Sequence, residues 1–183
     1  MKQKEWVAIN YMLPREPSRA RVSVWRKLKK SGAVSILQSM WVLPSNSGNH
    51  NLLEKIKDEV NTNNGEAFIL NFTTDLDGEK IIINKFNSAR NEEYKEFVEQ
   101  CEDLIREIEK ESNRQNFTFA EIEENEEELN KLMNWLNKII KRDVFISSLQ
   151  ENANSMFIKC RGILENFCEK VYEFNERNGH KEK

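Results

Sequence analysis

Leu13–Pro44, LPREPSRARVSVWRKLKKSGAVSILQSMWVLP, is the stretch whose reading decides the fold. Pro17-Ser18 offers a cap and a stiff first turn, and Val22, Trp25 and Leu28 recur at three-residue steps. Gly32 stands where a helix ends in a left-handed cap, which predicts a helix from about Ser18 to Ser31. Ala33–Leu37 and Met40–Leu43 follow as two apolar runs separated only by Gln38-Ser39 and stopped by Pro44, the pattern of a tight hairpin.

Working outward, Trp6–Leu13 (WVAINYML) is an uninterrupted β-rich run that suits a central strand buried on both faces. On the other side, Ser45–Asn51 reads as a polar loop. Leu52, Leu53, Ile56 and Val60 then mark a second amphipathic helix closed by Asn63-Asn64-Gly65, and Ala67–Phe72 reads as a fourth strand. Strand–helix–strand–strand–helix–strand is the ferredoxin-like order, an antiparallel sheet with two helices on one face. The expected class is therefore α+β: a ferredoxin-like domain followed by a C-terminal helical bundle.

Beyond residue 75 the grammar changes. In Thr73–Asn84, Asp77-Gly78 can turn a hairpin into Lys80–Ile83 or the segment can link out of the first domain, and a linker with a short strand-like piece is the expectation. Tyr94, Phe97, Val98, Cys101, Leu104, Ile105 and Ile108 form one stripe on a helix of about Ser88–Glu111. Thr118-Phe119-Ala120-Glu121 has the capping-box pattern and opens a helix striped by Ile122, Leu129, Leu132, Met133, Leu136, Ile139 and Ile140. After a break near Arg142–Ser148, a last helix carries Ala153, Met156, Phe157, Cys160, Ile163, Leu164, Phe167, Val171 and Phe174. The predicted division is 1–75 for the ferredoxin-like domain, 76–87 for a linker, 88–178 for a bundle of three long helices and 179–183 for a tail.

Composition bounds the rest. Ten Phe and four Trp can fill a core, although charged residues make up 32% of the 183. The longest uncharged apolar runs, such as Ala67–Phe72, fall far short of the ~20 residues that span a bilayer. Neither a signal peptide nor a membrane partner is expected, which makes a cytoplasmic location the default. Cys101, Cys160 and Cys168 lie among apolar residues at helical spacing and read as small buried hydrophobes. His50 in a loop and His180 in the tail are expected to be solvated. No nucleophile, phosphate-loop, dinucleotide or metal motif occurs, and Glu123, Glu124 and Glu126–Glu128 read as a solvated helix face. No catalytic site, no metal and no cofactor are expected.

Charge is distributed unevenly. Residues 1–44 hold nine Lys or Arg against two acidic residues, a net +7, and the remainder carries −10. Arg19 and Arg21 fall in the first turn of the first helix, where the macrodipole is positive and cations are unfavourable by a few tenths of a kcal/mol. An anion there would remove the conflict, through free backbone N–H groups and guanidinium forks. Arg19, Arg26 and Lys30, at spacings of seven and four, share one side and suit a phosphate backbone. The candidate anion- or nucleic-acid-binding residues are Arg15, Arg19, Arg21, Arg26, Lys27 and Lys30. Their partner is DNA, a tetrahedral oxyanion or the chain's own acidic helices; Trp25 and Trp41 are assigned to the core.

The same residues carry a resemblance. A strand ending in Leu13-Pro14, Ser18-Arg19 before a helix, Trp25-Arg26-Lys27-Leu28-Lys29, Gly32-Ala33 and an aromatic-bearing strand ending in Leu43-Pro44 resemble the N-terminal region of the chromate resistance protein ChrB family. Phe119, Ala120-Glu121, Leu129, Leu132, Trp135, Ile139 and Arg142-Asp143 match the later part of that pattern. The resemblance implies a chromate-responsive transcriptional regulator that binds DNA and senses chromate or another tetrahedral oxyanion; the helical bundle is expected to support a homodimer or another partner contact. Longer members carry a further C-terminal domain after this region. The basic unit is also similar to the PaaX-type repressor domain and to a small CRISPR-associated nuclease, which places a metal-binding Asp near the end of its first strand. Asn10, Tyr11 and Met12 stand there instead, so metal-dependent cleavage is not expected.

Overall fold

The computed structural model describes residues 4–179. Its elements run β1 (Trp6–Met12), α1 (Ser18–Ser31), β2 (Val34–Leu37), β3 (Met40–Pro44), α2 (Ser47–Thr62), β4 (Glu66–Phe72), α3 (Leu76–Arg114), α4 (Phe119–Arg142) and α5 (Gln150–Gly179). The four strands form one sheet in the order β2-β3-β1-β4, and each neighbouring pair is antiparallel. The fold is α+β, with a four-stranded antiparallel sheet and five helices.

Contacts divide the chain into two compact units. The first comprises the described residues up to Ala89 together with Arg142–Phe145; the second comprises Arg90–Lys141 and the described residues from Ile146 onward. In the first unit both faces of the sheet are covered. Val7, Ile9, Trp41 and Leu43 meet Val24 and Leu28 of α1 and Leu53, Ile56 and Val60 of α2. On the opposite face Trp6, Ala8, Val34 and Val42 meet Ile82 and Phe86 of α3, with Phe145 packed against them. Double coverage explains why Trp6–Ile9 shows no apolar–polar alternation: both pleat faces of the central strand exclude water.

The segment expected as a linker, 76–87, instead forms the opening turns of α3. Asp75 sets the start, because its Oδ1 accepts the Gly78 N–H at 2.8 Å and its carbonyl accepts the Glu79 N–H at 2.9 Å. Asp77 and Glu79 place negative charge at the positive end of the helix dipole. Ile82 and Phe86, four residues apart, then bury one face. Gly78 does not turn a hairpin; a Cβ there would collide with the Thr74 hydroxyl.

The polar loop expected at 45–51 is shorter, since α2 begins at Ser47. Asn46 caps it, its Oδ1 accepting the Asn49 N–H at 2.8 Å.

In the second unit one core joins Tyr94, Phe97, Cys101, Leu104, Ile105 and Ile108 of α3 to the inward stripes of α4 and α5. Met133 and Phe174, expected on those stripes, are exposed. Among the described residues no helix is long and apolar enough to cross a membrane.

Candidate functional site

α1 begins after Pro17, whose extended backbone (φ −77°, ψ 141°) admits the chain but supplies no side-chain cap, and its first turn holds no acidic residue. Its end is better satisfied. Gly32 adopts φ 85°, which lets its N–H reach the Lys29 carbonyl at 3.0 Å while the Ala33 N–H reaches the Leu28 carbonyl at 3.1 Å. These two bonds form a Schellman stop, and Ala33 and Leu28 share the core beneath it. Lys29 and Lys30 in the last turn complement the negative end of the dipole.

The buried side of α1 is Ala20, Val24 and Leu28. A spacing of four, rather than the expected three, seats the helix on the sheet. Trp25 is consequently turned outward and 48% exposed, which corrects its assignment to the core; Val22 is exposed with it. Trp41 is buried as expected, and Lys29 Nζ lies 6.0 Å from its ring centroid. Both stripe templates share Leu28, and the sequence signal that separates them is Ala20, small enough to approach the sheet.

All six candidate residues, Arg15, Arg19, Arg21, Arg26, Lys27 and Lys30, are exposed. Lys27 differs from the others in being already engaged, in an ion pair with Glu59 of α2. Ser23 donates to the same carboxylate at 2.6 Å. Burial pushes the Glu59 carboxyl up, and the hydrogen bonds from Lys27 and Ser23 outweigh it, holding the group below its ordinary value. Arg15, Arg19, Arg21, Arg26 and Lys30 have no acidic partner among the described residues. Of these, Arg19, Arg21, Arg26 and Lys30 lie on the helix itself, with Trp25 four residues from Arg21 and next to Arg26. Such a face can neutralise several phosphates and offer an indole to a base or sugar.

The other sequence candidates lie apart from this face. His50 is not a loop residue but sits in the first turn of α2, half-buried, with Nε2 in hydrogen-bond contact with Ser45 Oγ at 3.0 Å. His180 lies outside the described residues. Cys101, Cys160 and Cys168 are free thiols, the first two buried in the second core. The glutamates at 123, 124 and 126–128 are exposed along α4. Among the described residues, no group of three or more His, Cys, Asp or Glu side chains is arranged to hold a metal ion.

The family model described as "Protein ChrB, N-terminal" matches residues 21–178, from the first turn of α1 to the end of α5. No curated protein and no solved structure matches the chain. With most of its length covered by that model, the chain belongs to the ChrB family, of which it represents the N-terminal region.

Proposed function

We propose that the chain is a non-enzymatic regulatory protein that binds DNA through the outward face of α1. Membership of the ChrB family links it to chromate resistance. The observation that carries the DNA reading is the set Arg19, Arg21, Arg26 and Lys30, exposed along one helix beside a half-exposed Trp25 and without acidic partners among the described residues. Cations so placed gain by releasing the counterions condensed on a duplex, which makes the binding salt-dependent. The first unit is read as a ferredoxin-like domain, supported by the antiparallel order β2-β3-β1-β4 and by α1 and α2 on one face. The second unit is read as a helical bundle, supported by the single core shared by α3, α4 and α5.

Fluorescence anisotropy with a labelled duplex tests the reading. Raising salt from roughly 50 to 200 mM weakens binding steeply, and an Arg19→Ala/Arg26→Ala variant lowers the log–log salt slope by about two. Undetectable binding at low salt, or unchanged affinity in that variant, removes the hypothesis and returns the basic face to a docking role.

A second reading rests on the start of α1. Without a side-chain cap or an acidic first turn, its free N–H groups beside Arg19 suit a tetrahedral oxyanion. A thermal shift with chromate, sulfate and phosphate decides it, because a ligand that binds only the folded chain raises the melting temperature. No shift at millimolar ligand ends the oxyanion reading.

A further inference from the structure

β4 is an outer strand: it pairs with β1 on one side, and no described strand pairs with the other. A free strand edge presents unpaired backbone donors and acceptors, and proteins ordinarily blunt it with lysine, proline, a bulge or brevity. The opposite edge of this sheet is blunted, since β2 has only four residues and its register breaks between Ser35 and Leu37. β4 has none of these devices. It reads EAFILNF over Glu66–Phe72, and its pairing with β1 continues unbroken from Met12↔Glu66 to Trp6↔Phe72. On the face away from α1 and α2, Phe68 is 52% and Leu70 40% exposed.

We propose that β4 is an interface for a second copy of this chain, pairing antiparallel with its own counterpart about a two-fold axis at Ile69 so that one sheet runs through both copies. The sequence is self-complementary in that register. Phe68 of each copy falls opposite Leu70 of the other, so both exposed residues gain an apolar cross-strand neighbour. Charge agrees with it. Glu66 is the strand's one charged residue and falls opposite Phe72, while the two Glu66 side chains stand on the order of 20 Å apart, well beyond screening distance. A foreign strand would satisfy the backbone equally, but self-pairing matches the apolar residues with no like charges facing. Seven residues a side is small beside the roughly 20–30 of a standard interface, so the dimer dissociates on dilution through the micromolar range.

Sedimentation velocity on the full chain, from low to high micromolar, reads the equilibrium. Wild type passes from monomer to dimer. Phe68→Lys/Leu70→Lys and Phe68→Glu/Leu70→Glu each stay monomeric, with unchanged far-UV circular dichroism because both positions are exposed. Mixing these two variants restores a dimer, since position 68 of one copy meets position 70 of the other. A wild type that stays monomeric overturns the proposal and leaves the edge to a foreign strand. So does self-association of both charged variants at wild-type strength, which puts the contact elsewhere, or a mixture that remains monomeric.

Discussion

Lys27 of α1 and Glu59 of α2 form an ion pair that ties the two helices covering one sheet face, and Ser23 shares the carboxylate. Lys27 thus differs from its neighbour Arg26, although both are exposed cations in the same turn. In duplex-binding assays, Arg26→Ala lowers the log–log salt slope by about one, while Lys27→Ala leaves it unchanged. Lys27→Ala instead costs about 0.5–1 kcal/mol of stability, read from chemical denaturation. Equal slopes for the two variants would contradict this division of labour.

The same pair makes stability depend on acid. The Glu59 carboxyl is held below its ordinary value in the folded chain. Its contribution is therefore complete above the unfolded value of 4.5 and is lost as pH falls through the lower folded value. Glu59→Gln has no such titration. Denaturation midpoints of wild type and Glu59→Gln converge as pH drops below 4.5 and stay separated near neutrality; a gap that is constant with pH would rule the linkage out.

Trp25 and Trp41 separate binding from folding. Trp41→Ala removes a buried indole and costs about 3–5 kcal/mol. Trp25→Ala, at a half-exposed site, costs about 1 kcal/mol or less and lowers affinity for single-stranded DNA by about 1–3 kcal/mol if the indole stacks on a base. Comparing melting temperature and anisotropy for both variants checks the assignment. Intact affinity in a folded Trp25→Ala chain would remove the indole from the interface.

Much of α1 was legible beforehand. Its span Ser18–Ser31 and its glycine stop follow from Pro17-Ser18, the apolar repeat and Gly32, all local signals. Which face it buries was not. Val22-Trp25-Leu28 and Ala20-Val24-Leu28 are both helical stripes, and the choice between them depends on how closely the helix approaches the sheet, a tertiary quantity. Lys27 likewise reads as one more basic residue until α2 brings Glu59 to it from 32 positions away. The opening of α3 is masked in the sequence by Asp77-Gly78, which carries a strong turn signal. Capping by Asp75 and burial of Ile82 and Phe86 outweigh it.

Phe145 holds the far face of the sheet together with Trp6 and Phe86. Its ring centroid lies 5.9 Å from Trp6 and 5.3 Å from Phe86, the latter edge-on at 66°. Phe145→Ala removes from the stacked Trp6 and Phe86 rings an aromatic neighbour they share and costs about 2–3 kcal/mol, the lower part of the range for an aromatic truncation because the side chain is only partly buried. Thermal melts would show a drop of several degrees; an unchanged melting temperature would mean the ring contributes no packing.

That ring also sets an order of events during synthesis. When the first 89 residues have been translated, every strand of the sheet exists, yet the last piece of its hydrophobic covering is still unmade. The ribosome must add α4 before Phe145 arrives. The first unit thus cannot be finished until most of α3 and all of α4, which belong largely to the second, have been made, and until residue 145 leaves the exit tunnel the nascent chain carries an incompletely covered sheet face for chaperones to meet.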